Sequence, residues 1–256
     1  MILRPQRNVI LPRRQRGFIT PFMFQQAARG GAANNDPHFA SVVLLAVNDN
    51  AADATTTFVD QSSYGRTLTA AGNAQYDTAQ APTGMTSSLL VGGTGDRVTS
   101  ADAAEFDVGT QDFTLELWAR PAALVGVKEW FGRRTSGGFA PFIIAPNGTA
   151  LQWYASSGGA AWDVASASAI GTVATGTWYA VALTREGSTF RAFLDGTKNA
   201  TEVSSAASLY DPSQGINIAG VSGVEFNGHL ACVRWTIGVA RYTANYTPPT
   251  LPLPTS

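Results

Sequence analysis

An all-β fold, built as a two-sheet antiparallel sandwich, is what the 256-residue sequence predicts, and three observations carry that expectation. The first is TWYAVALTREGSTFRAFLDG at 177–196, where Trp178, Ala180, Ala182 and Thr184 alternate with Tyr179, Val181, Leu183 and Arg185. Glu186-Gly187-Ser188 interrupts the run, Phe190, Ala192 and Leu194 resume it, and Asp195-Gly196 ends it. Period-two alternation punctuated by glycine is the signature of a hairpin. The second is DFTLELWAR at 112–120, with Phe113, Leu115 and Leu117 on one face and Thr114, Glu116 and Trp118 on the other. The third is composition: 45% hydrophobic and 14% charged residues, 26 Gly and 13 Pro, with no stretch that holds a helical period. That mixture suits many short strands and turns, and one flat sheet of this size would leave an apolar face in water.

Taken in order, the chain begins with an arm, MILRPQRNVILPRRQRGFITPFMFQQAARGG. Residues 1–33 hold Arg4, Arg7, Arg13, Arg14, Arg16 and Arg29 and no acid, leaving eleven bases against eighteen acids, a net of −7, in the remainder. A basic segment joined to an acidic body is a common form of interaction tail. Pro5, Pro12 and Pro21 forbid a long helix. A secretory or twin-arginine signal is opposed by Pro21 and Gln25-Gln26, which break an already short apolar segment. The arm is expected to lie extended on a partner, its arginines on acidic groups and Ile10, Leu11, Phe18, Phe22 and Phe24 in apolar hollows. A disordered start is the plain alternative. Residues 1–36 are therefore assigned as basic arm and linker, and 37–256 as one domain.

Strands are expected at 42–47, 55–59, 67–69, 87–91, 97–99, 112–120, 129–133, 139–145, 150–154, 161–165, through the 177–196 hairpin, and at 216–219 and 228–237. Pro121 should close the 112–120 strand, because proline cannot donate to a central ladder. The tail ARYTANYTPPTLPLPTS is too proline-rich to enter a sheet and should run extended over the surface.

Several classes of chemistry are disfavoured. The single Cys232 excludes an internal disulfide or a cysteine metal cluster, and His38 and His229 form no zinc-binding pattern. No run of eighteen apolar residues exists, so no membrane span is expected. Glycoside hydrolysis needs two carboxylates facing each other across the bond. Glu116 has no acidic neighbour on its strand face, and Glu129, Glu186, Glu202 and Glu225 read as solvated turn residues. No nucleophile elbow or P-loop is present, and GGTGD at 92–96 reads as a turn.

DFTLELWARP at 112–121, GTWYAVALTREGSTFRAFLDG at 176–196 and FNGHLACVRW at 226–235 resemble the laminin-G-like members of the concanavalin-A-like jelly-roll superfamily. The resemblance extends over about residues 38–250. The segments around SVVLLAVND at 41–49, FVDQSSYGRTLTAAGNAQ at 58–75 and the ending GVARYTANYTPP are similar to one subgroup found in bacteriophage and prophage proteins, often tail or virion components. The subgroup usually carries two acids where this chain has Ala231 and Cys232, so no role of those acids transfers. The resemblance implies a jelly-roll sandwich and a place on the virion surface, as a capsid-decorating protein or short tail-fibre component. The arm at 1–35 has no counterpart in the generic domain. By analogy, its partners would be other capsid or tail proteins, with the chain a homo-oligomer on the particle.

The sites this implies are two. The arm, through Arg4, Arg7, Arg13, Arg14, Arg16, Phe18, Phe22 and Phe24, would anchor the domain to the particle; nucleic acid is the less favoured partner, because the body is acidic and the arm interleaves apolar residues. Four tryptophans, Trp118, Trp153, Trp178 and Trp235, fall in patterned strands and read as core. Trp162, with Asp163 beside it and Tyr154 nearby, is the candidate exposed aromatic face for a cell-surface glycan, which would make the protein an adhesin for host polysaccharide. Calcium is left open: Asp60, Asp96, Asp163, Asp195 and Asp211 offer oxygens, but no spacing selects a set, so no cofactor is assigned. An enzyme acting on polysaccharide is the least favoured reading.

Overall fold

The computed structural model describes residues 35–256, and of the arm and linker assigned to 1–36, residues 1–34 lie outside them. Among the described residues there are sixteen strands and only two short 3₁₀ turns. In chain order the strands are β1 (Val42–Ala46), β2 (Leu68–Ala71), β3 (Gln75–Asp77), β4 (Ser88–Gly92), β5 (Arg97–Ser100), β6 (Phe113–Pro121), β7 (Phe131–Gly132) and β8 (Phe142–Asn147). They continue with β9 (Ala150–Ala155), β10 (Ala165–Thr172), β11 (Tyr179–Glu186), β12 (Thr189–Leu194), β13 (Thr197–Lys198), β14 (Val203–Ser204), β15 (Asn217–Ile218) and β16 (Asn227–Ile237).

They form two antiparallel sheets, as the alternation predicts. One has nine strands in the order β13-β12-β11-β6-β16-β4-β3, with β1 also on β16 and β14 on β12. The other has seven, β10-β9-β8-β7-β15-β5-β2. β16 is the spine of the first sheet. It pairs β6 along one edge, while its other edge serves β4 at 227–230 and β1 at 233–236. The changeover falls on a bulge, where Cys232 takes φ 50 and its amide turns to the Val47 carbonyl at 2.7 Å. A bulge inserts an unpaired residue and bends the strand, which is what a changeover between neighbours requires.

The core lies between the sheets and is held by aromatic rings contributed from both sides. Phe113 of β6 stacks on Phe142 of β8 at 4.7 Å, Phe190 of β12 stacks on Trp153 of β9 at 5.4 Å, and Trp235 of β16 meets Phe131 and Phe142 edge-on at 5.7 and 5.4 Å. All are at most 2% exposed. Each such side chain contributes about 1.5–3 kcal/mol on burial, so this band fixes how the sheets face one another. The 177–196 segment forms the expected hairpin, with Glu186 opposite Thr189. Asp195 (φ 50) and Gly196 (φ 77) both take the positive angles of a two-residue turn between β12 and β13. Gly196 is also required by space, because a Cβ there would collide with the Tyr246 carbonyl.

Several local expectations are corrected. Residues 55–59 form no strand, only an isolated bridge between Val59 and Thr67. Residues 129–133 reduce to the two-residue β7, and the strand expected at 161–165 begins instead at Ala165, because Asp163 closes a loop back onto Ser157. β3, β13 and β14 were not expected; they are edge additions of two or three residues, too short to carry a period. Trp153 and Trp235 lie in the core, whereas Trp118 and the half-buried Trp178 belong to a separate apolar cluster on the outer face of the nine-stranded sheet.

The proline-rich tail does run extended over the surface. It crosses the outer face of the nine-stranded sheet. Asn48 anchors it by donating Nδ2 to the Leu253 carbonyl (2.9 Å) and accepting the Leu253 amide (2.7 Å). The Asp36 amide donates to the Ser256 carbonyl at 2.8 Å, bringing the start and end of the described chain together.

Candidate functional site

Side chains on the outer face of the seven-stranded sheet are set by register. Thr69 pairs with Thr99, Thr99 with Asn217, Asn217 with Gly132, Gly132 with Ile143, and Ile143 with Tyr154. Paired residues point to the same face, so these six form one row across the sheet. Their neighbours Val98, Ile218, Phe131, Ile144 and Trp153 point inward to the core. From Thr99 to Tyr154 the row spans four inter-strand steps, ~19 Å. One end is polar and the other aromatic.

The aromatic end contains Tyr154 and Trp162, which the sequence singled out. Their rings lie 5.6 Å apart, and Phe139 meets Trp162 edge-on at 5.0 Å. Trp162 and Tyr154 rest on Ala140, Ile143 and Ala145 and are half-buried, leaving ring surface open to solvent. Burial raises the Tyr154 phenol, which stays neutral and donates to Gln152 Oε1 at 3.0 Å. Asp163 is exposed, and its carboxylate is bound by Ser157: the amide donates to Oδ1 at 2.8 Å and the hydroxyl to Oδ2. Those bonds hold its carboxyl below the usual range. In this structure Asp163 shapes the loop that carries Trp162.

The middle of the row is built around the missing side chain of Gly132. A Cβ there would collide with Glu129 Oε1 and come within 2.9 Å of Ile143 Cγ2. Glu129 fills that space, fully buried, and accepts from Arg134 Nε at 2.7 Å, while Oε1 has no hydrogen-bond partner. Burial pushes its carboxyl up, against the opposing pull of Arg134. Arg134 also donates Nη1 to the Gly138 carbonyl, and its guanidinium carbon lies 6.0 Å from the Trp162 ring. Its backbone carbonyl accepts from Asn217 Nδ2 at 3.0 Å. The expectation that Glu129 and Glu225 are solvated turn residues is therefore corrected. Glu225 is 7% exposed and accepts the amides of Gly95 and Gly223.

At the polar end is a cleft of about 350 Å³, bordered by Arg97, Thr99, Arg134, Ser136, Gln214 and Asn217 among others, with no Asp or Glu among the described residues that line it. Arg134 thus belongs to both ends. Of these residues the sequence reading reached none. Alternation places Arg97 and Thr99 on one face, yet nothing linear joins them to Asn217 or Arg134, more than thirty residues away. Only strand pairing does so.

The other acids raised as oxygen donors are already bound by protein groups, Asp211 by Arg133 among them. Asp60 accepts from Leu45, Ser62 and Arg66, Asp96 from Asn73 and Gly92, Asp195 from Ala180, and Asp211 from Ser213. Among the described residues no group of three His, Cys, Asp or Glu is placed to hold a metal. Glu116, on the opposite sheet, is 1% exposed and bound to Arg234 and Tyr242.

A family model described as the concanavalin A-like lectin/glucanases superfamily matches residues 92–237. No curated protein sequence matches the chain at a significant level. Solved structures do. One reported for botulinum neurotoxin type C is 12% identical with a TM-score of 0.55, over 78% of this chain and 48% of that one. The binding domain of botulinum neurotoxin serotype D is 13% identical with a TM-score of 0.54, over 78% and 49%. A mutant of Trypanosoma rangeli sialidase is 16% identical with a TM-score of 0.51, over 81% and 31%. This chain spans about half the length of those toxin chains or less, and at such identities what is shared is the fold. With more than half its residues matched and its two sheets so arranged, the chain belongs to the concanavalin A-like lectin/glucanases superfamily.

Proposed function

We propose that this protein is a non-catalytic carbohydrate-binding module that receives glycan along the outer face of its seven-stranded sheet. The observation that carries the reading is the half-exposed Trp162–Tyr154 pair, continuous through Arg134 with a polar cleft. Aromatic faces take up the apolar surfaces of sugar rings, and converging polar groups orient hydroxyls. The row is long enough for an oligosaccharide. The described residues of the cleft offer no carboxylate, so the pair that glycoside hydrolysis needs is not at this site. Fold relatives lend context: botulinum neurotoxin type C depends on interaction with two ganglioside molecules to enter cells, and a related toxin binding domain was solved in complex with SialylT. A glycan array probed with wild type and Trp162→Ala tests the proposal. Wild type should bind a defined set of glycans and Trp162→Ala should lose about tenfold or more in affinity while still unfolding cooperatively. An empty array, or equal binding by the variant, would sink it.

The setting we propose for this module is the surface of a bacteriophage virion, as a decoration or short-fibre protein. The support is the subgroup resemblance together with the arginine-rich segment 1–33. Removing residues 1–33 should leave a folded domain that no longer joins particles; normal incorporation would refute this placement while leaving the glycan reading intact.

A further inference from the structure

We infer that the polar end of this face selects acidic glycans, with Arg97 and Arg134 receiving a carboxylate carried on the sugar. This rests on the carbohydrate-binding reading and specifies its ligand class. Arg97 and Arg134 line the same cleft, and no acid among the described residues lines it with them. The two guanidiniums differ in how they are held. Arg134 is fixed by Glu129 through Nε and by the Gly138 carbonyl through Nη1, which leaves Nη2 without an intramolecular partner among the described residues. Arg97 makes no side-chain hydrogen bond or ion pair among them, although every other arginine in that region of the fold does: Arg66 with Glu105, Arg133 with three aspartates, Arg134 with Glu129.

The acids that could have neutralised Arg97 are engaged elsewhere. Asp96, its chain neighbour, is 4% exposed and turned to the amides of Asn73 and Gly92, and Glu225 is turned to Gly95 and Gly223. On a body whose described part is acidic overall, an acid-free cleft with an unpaired guanidinium is a local positive site. Guanidinium groups bind carboxylates in planar, two-point fashion, and such charge-assisted bonds are about twice as strong as neutral ones. Beside them the hydroxyl oxygens of Thr99 and Ser136 and the Asn217 Oδ1 can accept from the neutral part of the ring, Ser136 donating to the Ser222 carbonyl and Asn217 Nδ2 to that of Arg134. The arrangement thus offers stacking at Trp162 and charge recognition at Arg97, toward opposite ends of one face.

The full chain is titrated by calorimetry with oligogalacturonate and its carboxyl-reduced counterpart, and with sialyllactose and lactose. Wild type, Arg97→Gln and Trp162→Ala are compared. The expected result is that at least one acidic member exceeds its neutral counterpart by about tenfold, that added salt narrows the difference, and that Arg97→Gln removes it without changing the melting temperature. Whichever pair shows the preference tells a uronic acid from a sialic acid. Equal affinity within both pairs, or an undiminished preference in Arg97→Gln, overturns the inference. In either case Trp162-dependent binding of the neutral sugars would leave the glycan reading standing, and absence of binding to all four overturns both.

Discussion

The outer face of the nine-stranded sheet carries Thr114, Glu116 and Trp118 beneath a covering of chain, while the outer face of the seven-stranded sheet carries Thr99, Asn217 and Tyr154 in the open. Both sets arise from the same alternation against the same core. On the first face, Thr114 and Thr184 donate to the carbonyls of Val239 and Tyr242, and Tyr242 donates to Glu116. Arg234 of β16 and Arg241 beyond it share Asp36 and tie the residues before β1 to both. Burial works to raise Asp36, yet the Arg241 bond, the His38 amide and the two guanidiniums outweigh it and hold the carboxyl below its ordinary value. Burial likewise works to strip Arg234 of its proton, and Glu116 reverses that. Asp36, Glu116, Arg234 and Arg241 thus satisfy one another. On the second face the tail never arrives, and Arg97 is left unpaired among the described residues. The first face uses Asp36, Glu116, Arg234 and Arg241 to hold the fold; the second leaves the Arg97 guanidinium available.

The sharpest way to break this contrast is to open the closed face. Arg234→Met leaves Glu116 and Asp36 buried without their shared cation, and should cost about 3–5 kcal/mol in urea unfolding. A loss below about 1 kcal/mol would show that the network is not what secures this face. Arg97→Gln on the open face should leave the unfolding midpoint unchanged in the same experiment.

The next effect is smaller and lies on the open face. Gly132→Ala pushes a methyl group into the space Glu129 and Ile143 occupy. Overpacking of this kind costs about 1–3 kcal/mol, and because Glu129 holds Arg134, glycan affinity should fall with stability. Unaltered stability would mean that Glu129 has another place to go.

The smallest effect concerns pH. His229 lies on the closed side, its Nε2 2.8 Å from Asp77 Oδ2. Burial holds its pKa below the ordinary 6.5, Asp77 pulls upward, and Arg120 adds to the depression. The folded chain therefore binds fewer protons than the unfolded chain just under pH 6.5, so stability is complete above that value and declines as pH falls through the lowered one. Asp77 is itself held below 3.8, so its loss comes at lower pH, outside this window. His229→Gln should flatten the slope of stability against pH immediately below 6.5 while acting little on pH 8 stability; an unchanged slope would place the response elsewhere.

Much of this molecule can be read along the chain, and the reasons are local. The faces of 112–120 and 177–196 follow from period-two alternation, and Asp195-Gly196 from the need for positive φ. Trp162 stands out because the Ser156-Ser157-Gly158-Gly159 loop precedes it and Asp163 stands beside it. Glu129 was misread for an equally local reason. It sits near turn-forming residues, and nothing linear reports that Gly132, three positions on, vacates a space for its carboxylate. Thr55–Val59 looks like a strand by composition, but it meets β3 only where Tyr76 bonds residues 54 and 55 and meets Thr67 through one bridge, too few contacts for a ladder.

The sequence by itself determined the class of fold, the alternation that splits each long strand into two faces, the extended tail and the aromatic pair at one end of the open face. These follow from side-chain periodicity and backbone restrictions that act within a few residues. Tertiary structure alone decided that the tail covers one sheet and leaves the other bare. It also brought Arg97, Asn217, Gly132 and Tyr154 into one row, since register between distant strands is set by packing of the whole sandwich and leaves no mark on any single segment.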